Sequence, residues 1–189
     1  MDMKRSTDRE LLALVVGPRA AQKLYRGSLA PLFGEEDRDL AKERVRLLAA
    51  KELIIRMLHE TLTREVVMSS PQNVRMYLLA CFIGREHESF LTLFLDAQNR
   101  LITSEELFRG TLTQTAVYPR EIVKRALRHN AAAVIFAHNH PSGVSEPSSA
   151  DQLLTESLKQ ALQYVDVKVL DHFIAAGGQV VSMAERGMV

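Results

Sequence analysis

Residues 131–151 read AAAVIFAHNHPSGVSEPSSAD, and how this stretch is taken decides how the second half of the chain folds. The run up to His138 is short and wholly apolar, the pattern of a strand covered on both faces rather than of an amphipathic surface element. It predicts a strand over 132–138, with His138 at its end and His140 two residues further on. Side chains alternate along an extended chain, so both imidazoles fall on one side of it and can converge on one point. Pro141 and Gly143 then turn the backbone, and Ser148 opens a helix predicted over 148–163. Asp151 sits in its first turn, from which a carboxylate can swing back toward the imidazoles.

Two neutral imidazoles and one carboxylate are a common ligand set for catalytic zinc, with the fourth tetrahedral position left to water. A structural zinc site would be closed by a fourth protein ligand, usually Cys, and none is near. Such chemistry also needs a carboxylate to take a proton from water and pass it to a leaving group. Glu86, Glu88, Glu105 and Glu106 are candidates, and spacing alone leaves the choice open. Each part has a plainer meaning: Ser148-x-x-Asp151 is by itself a helix capping box, and a histidine at a strand end is more often a satisfied polar residue than a ligand. The combination H-x-H-x(7)-S-x(2)-D would arise by chance in roughly one such chain in two thousand, which favours a metal site.

Working outward, YPREIVKRALRHN (118–130) predicts an amphipathic helix, with Pro119 at its start and Ile122, Val123, Ala126 and Leu127 inward. ESFLTLFLD and RLITSEELFRG are β-rich runs joined by AQN, an antiparallel pair. After the long helix, YVDVKVLDHFIAAGGQVVSM holds two more strands separated by Gly177-Gly178. A hairpin followed by alternating helices and strands implies an α/β sandwich with a mixed sheet. In that arrangement Asp171 and His172 either support the metal site from a neighbouring strand or form a pair that fixes a strand within the sheet, the commoner case.

The first 62 residues are expected to be helical throughout. STDRELLALVVG is a helix capped by Ser6 or Thr7 and stopped by Gly17-Pro18. A longer helix follows, with Leu40, Val45, Leu47, Leu48, Leu53, Ile54, Met57 and Leu58 as its apolar face. MSSPQNVRMYLLACFIG is a third helix, capped by Ser69 or Ser70 and ended by Gly84. The division expected is therefore a helical segment over 1–62 and an α/β domain over 65–189.

Composition narrows the function. Lys plus Arg (24) nearly cancel Asp plus Glu (23), and residues 1–65 carry 13 basic and 11 acidic side chains, so neither part is a basic nucleic-acid module. The lone cysteine, Cys81, excludes an intramolecular disulfide and reads as a buried helical thiol. With no apolar leader and no run long enough to span a bilayer, a soluble cytoplasmic protein that does not bind membranes is expected.

The H-x-H-x(7)-S-x(2)-D spacing matches the JAMM (MPN+) metalloprotease signature. The longer string 131–151, with LFRGTLTQTAVYPREIVKRAL before it and VLDHFIAAGGQVVSMAERG after it, closely resembles the bacterial RadC family over about residues 65–189. The resemblance implies the cytidine-deaminase-like (MPN/JAMM) α/β sandwich, one Zn²⁺ held by His138, His140 and Asp151, and Ser148 steadying an oxyanion. It also places the general base at Glu88 rather than Glu86. STDRELLALVVG resembles the opening of the helix-hairpin-helix region of RadC proteins, although FGEEDRDLAKERVRLLAAKEL has acidic residues where a glycine turn is expected.

The function so implied is a zinc-dependent metallopeptidase or isopeptidase acting on a peptide or isopeptide. The rival is a non-enzymatic DNA-repair or DNA-binding role of the RadC type, which near-neutral charge disfavours. HNH nuclease chemistry scatters its three residues over tens of positions, a two-metal nuclease needs several clustered carboxylates, and a zinc deaminase needs H-x-E with P-C-x-x-C. None of these patterns is present.

Overall fold

The computed structural model describes residues 3–34, 42–67, 70–110 and 117–189. Helices α1 (Asp8–Val16), α2 (Pro18–Leu24), α3 (Lys42–Arg64) and α4 (Pro71–Phe82) precede a hairpin of β1 (Ser89–Leu95) and β2 (Leu101–Arg109). Then come α5 (Pro119–Arg128), β3 (Ala133–Asn139), α6 (Ser149–Gln163), β4 (Lys168–Ala176) and β5 (Gln179–Ser182). The five strands form one sheet in the order β2-β1-β3-β4-β5. Only β3 and β4 run parallel; the other pairs are antiparallel, so the sheet is mixed, as expected.

The central strand β3 is buried along its whole length, which is what its unbroken apolar run requires. Its odd-numbered residues, Ala133, Ile135 and Ala137, face the cluster made with Leu62, Val74, Leu78 and Phe82 of α3 and α4. Its even-numbered residues, Val134 and Phe136, face Ile122 and Ala126 of α5 and Leu158 and Leu162 of α6. Period-two alternation thus assigns His138, and His172 of β4, to the face covered by α5 and α6.

The helical region departs from the reading of its sequence in several places, first in not being helical throughout: the chain leaves the helix after Leu24 and, among the described residues before α3, makes only a 3₁₀ turn at Ala30–Phe33. Gly17-Pro18 ends α1 and also starts α2, because a proline at the first helical position has no N–H to satisfy and already holds a helical φ. Of the two caps expected for α1 it is Thr7 that serves, whereas Ser70 precedes α4 without a side-chain capping bond; Ser69 lies outside the described residues. The apolar face expected on the second helix is only partly inward: Leu47 is buried and Leu58 packs on the sheet cluster, but Val45, Leu53, Ile54 and Met57 are exposed. Leu40 and the segment that would form a hairpin, 35–41, lie outside the described residues. The true seam is Leu47, Lys51, Ile55, Leu58 and Leu62, a narrow 3–4 spacing that includes a lysine. The Lys51 amine donates to Ile83 O (2.9 Å) at the end of α4, so its burial is compensated. Nearby Gly84 has φ +77°, and a Cβ there would lie 2.5 Å from Phe33 C and Gly34 N, so only glycine admits this approach of the helical region.

Cys81 is a partly buried residue of α4 whose thiol is pushed up to about 11 by burial, which leaves it protonated and a poor nucleophile. Among the described residues no helix is long and apolar enough to cross a membrane.

Candidate metal centre

The site lies at the C-terminal end of β3, where the chain leaves the sheet. His140 N still donates to Ala175 O (2.9 Å), which extends the β3–β4 ladder by one residue beyond the strand. Gly143 N then closes a turn on His140 O (3.0 Å), with Gly143 at φ +82°. This geometry brings the two imidazoles together: His138 Nε2 and His140 Nε2 are 2.9 Å apart. The ring of His138 stacks on Phe90 of β1 (centroids 6.3 Å, planes 11° apart). The other nitrogen of His140, Nδ1, donates to Val144 O (2.7 Å), so its neutral form turns the Nε2 lone pair into the site.

Asp151 reaches the same point from α6. Its Oδ1 is 3.1 Å from His138 Nε2 and its Oδ2 3.6 Å from His140 Nε2. The capping box expected for this helix is present: Ser148 N (2.7 Å) and Oγ (2.6 Å) both donate to Asp151 Oδ2, and Asp151 N donates to Ser148 Oγ. The plain and the functional meanings of Ser148-x-x-Asp151 therefore coincide, since the cap aims the carboxylate. Burial of Asp151 works against its charge, yet the neighbouring His138, His140 and Ser148 hold its carboxyl far below the usual carboxylate range. The bond to Asp151 is the main reason that His140 is raised above the ordinary imidazole value, with partial burial opposing.

Of the four glutamates, Glu88 alone joins the histidines. Its Oε1 is 4.0 Å from His140 Nε2, and Glu88, His138 and His140 offer ligand atoms that all lie within 4.8 Å of one another. Glu86 is exposed, and neither acid lies within β1, which begins at Ser89. Glu105 is engaged by His129 Nε2 (2.6 Å) and Arg125 (3.5 Å), and Glu106 by Arg85 and Ser89. Two imidazole nitrogens so close, with carboxylates beside them, form a nitrogen and oxygen donor set of the kind that suits zinc. The residues present fit a divalent ion.

Two supporting features stand behind the site, one not foreseen and one of two readings left open. Asn139, between the histidines and on the opposite face of β3, is buried; its Oδ1 accepts from Ser89 N (2.9 Å) and its Nδ2 donates to His87 O (2.9 Å). It clamps the backbone on both sides of Glu88. Asp171 and His172 do not pair through their side chains, as one of the two readings had it, because neighbours on a strand point to opposite faces. Asp171 takes Ser182 Oγ and the N–H groups of His172 and Ala184, and burial raises its carboxyl. The His172 ring turns instead to the site, with its Nε2 2.8 Å from His138 Nδ1.

A pocket of about 350 Å³ opens over these groups, its walls including Glu88, Phe90, Val117, Ser148 and Leu154. A second groove of about 620 Å³, lined by Leu79, Phe82, Ile83, Pro141 and Ala175, reaches His140 from the other side.

Comparison with known proteins identifies a family. Residues 68–188 match the family model described as the RadC-like JAB domain. The chain is 62% identical to a UPF0758 protein of Nitrosomonas eutropha over 143 residues, 76% of this chain and 64% of that one. It is 55% identical to a UPF0758 protein of Herminiimonas arsenicoxydans, over 86% of this chain and 76% of the relative. A UPF0758 protein of Janthinobacterium is 50% identical over 96% of this chain and 88% of its own length. The chain thus spans just under two thirds of the length of the Nitrosomonas relative.

Proposed function

The chain belongs to the RadC-like JAB family, and on that premise we propose that it is a zinc-dependent hydrolase of amide bonds, a metallopeptidase or isopeptidase. The observation that carries this reading is the convergence of His138 Nε2 and His140 Nε2, 2.9 Å apart, with both oxygens of Asp151 within 3.6 Å of them. A zinc ion held there would polarise a scissile carbonyl and lower the pKa of a water to about 7.

His138, His140 and Asp151 are the assigned ligands, and Glu88 is the general base. Two carboxylates compete for the third ligand place, and distance separates them: Asp151 lies nearer both imidazoles than Glu88 does. Asp151 is also fixed by a helix cap, whereas the Glu88 side chain is twice as exposed, 29% against 14%. A proton carrier must move between water and leaving group, and the longer, more exposed acid suits that task. Glu88 takes a proton from the attacking water and gives it to the departing amine. Ser148 Oγ, on the wall of the same pocket, donates to the developing oxyanion after exchanging its bond to Asp151. The two cavities that meet at His140 leave room for an extended chain on either side of the cleaved bond.

The test is a pair of isosteric variants assayed for zinc content and for turnover of a peptide and isopeptide library. Glu88→Gln is expected to keep zinc and lose turnover by at least about a hundredfold, the contribution of a general base. Asp151→Asn is expected to lose zinc. Turnover that survives a chelator, or a Glu88→Gln variant as active as wild type, removes the reading.

A further inference from the structure

Behind His138 lies a buried chain of hydrogen bonds that runs away from the pocket and returns to it. His138 Nδ1 meets His172 Nε2 at 2.8 Å, His172 Nδ1 meets Thr155 Oγ1 at 2.6 Å, and Thr155 Oγ1 meets Asp151 O at 2.6 Å. Asp151 Oδ1 then faces His138 Nε2 at 3.1 Å, which closes a ring through two strands and the first turns of α6. His172 and Thr155 are buried and line neither cavity, so a role in contacting substrate is excluded.

The direction of the protons in this chain follows from its chemistry. A carbonyl oxygen only accepts, so two oxygens 2.6 Å apart require that Thr155 donates its single hydroxyl proton to Asp151 O. Met183 Sδ, 3.9 Å from Thr155 Oγ1, is too weak an acceptor to claim it. Thr155 Oγ1 must then accept from His172, which places the proton of that ring on Nδ1. The ring is fully buried, packed by Phe90 and Phe136, and its nitrogens face a hydroxyl and an imidazole rather than a carboxylate, so it carries no second proton. His172 Nε2 is therefore an acceptor, His138 Nδ1 the donor to it, and His138 Nε2 a bare lone pair directed at His140.

We infer that Thr155 and His172 are positioning residues that fix the tautomer of His138, so that a helix hydroxyl two hydrogen bonds from the site decides whether its Nε2 can bind a cation. The inference deepens the metal-site reading above and rests on it for its purpose, while the proton order itself stands on the hydrogen bonds and on the burial of His172. Removing the Thr155 hydroxyl leaves the His172 Nδ1–H with no acceptor. The cheapest repair moves that proton to Nε2, from which it donates to His138 Nδ1 and forces a proton onto His138 Nε2, where the ion belongs. A ligand histidine whose outer hydrogen bond is lost typically binds metal about 10–100-fold more weakly.

The experiment uses the full chain with ¹⁵N-labelled histidine, metal-free and at about pH 9, above the ordinary imidazole range. Two-bond ring correlations report which nitrogen of each imidazole is protonated, and zinc affinity is read separately by chelator competition. In wild type, His138 and His172 are both expected as the Nδ1–H form. The near-isosteric Thr155→Val is expected to convert His138 to Nε2–H and to weaken zinc 10–100-fold, and Thr155→Ser to restore both. A wild-type His138 protonated on Nε2, or a Thr155→Val protein with either readout unchanged, overturns the inference. A wild type with the expected tautomers that takes up no zinc would support the proton order and defeat the hydrolase reading, so the two failures are distinct.

Discussion

The sheet region and the helical region before it hold themselves together by different means. On the two sheet faces, large side chains such as Phe94, Phe136, Leu93 and Ile135 are fully buried, whereas the described core of α1–α3 consists of Leu12, Val16, Ala21 and Leu47. The helical region also exposes Leu14, Leu53, Ile54 and Met57 and relies on single polar ties such as Lys51 to Ile83. The difference shows where a costly polar cluster can be kept. Buried imidazoles, a threonine and an asparagine are tolerable only where the surrounding packing forces each into its hydrogen bond, and the site sits on that kind of scaffold.

The largest effect expected from this contrast is in the sheet. Phe136→Ala should cost about 3–5 kcal/mol in urea unfolding, the range for emptying a packed aromatic site. If Leu53→Ala on the exposed side of α3 costs as much, the contrast is wrong, since substitutions away from packed features stay within about 0.5 kcal/mol.

Asn139→Ala leaves Ser89 N–H and His87 C=O without their partner and should cost about 1–3 kcal/mol. It should also lower turnover while zinc content stays the same, because the clamp lies on the Glu88 side of the site. Zinc loss in this variant would show that the clamp serves the ligands instead. Across the junction, Lys51→Ala strips the Ile83 carbonyl of its donor at a comparable or smaller cost. Limited proteolysis is expected to cut residues 3–64 faster in this variant and to spare the sheet.

The smallest effect concerns pH. His172 is held well below the ordinary imidazole range by burial, with the neighbouring His138 adding to the shift. The unfolded ring titrates near about 6.5, so below that value the unfolded chain binds a proton that the folded one refuses. The stability due to a neutral His172 is present above about pH 6.5 and is lost as pH falls toward the folded value. His140, raised, acts in the opposite sense and favours the folded state at low pH. Comparing thermal midpoints of metal-free wild type and His172→Phe between about pH 8 and 5 isolates the first effect. Equal slopes would mean that His172 does not hold its ring neutral.

Much of the sheet was legible because its signals are local. An unbroken apolar run demanded a central strand, alternation put His138 and His140 on one side, and Ser148 with Asp151 announced both a cap and a carboxylate near them. What was left open or escaped depends on partners far along the chain. The use of the His172 ring is set by β3–β4 register, which pairs Phe136 with His172, and by Thr155 on a helix packed across that face. Asn139 shows its purpose only once β1 lies beside β3. On α3 the apolar residues outnumber the seam, so composition could not tell Leu47 and Leu62, which are buried, from Leu53 and Met57, which are not.

The most direct measurement of the central claim is the metal content of the purified protein beside that of a His138→Ala/His140→Ala double variant. About one zinc or similar divalent ion per chain in the first and none in the second is the result expected of a single open site. A metal-free wild type that takes up no ion on reconstitution, or a double variant that retains its ion, would contradict the account.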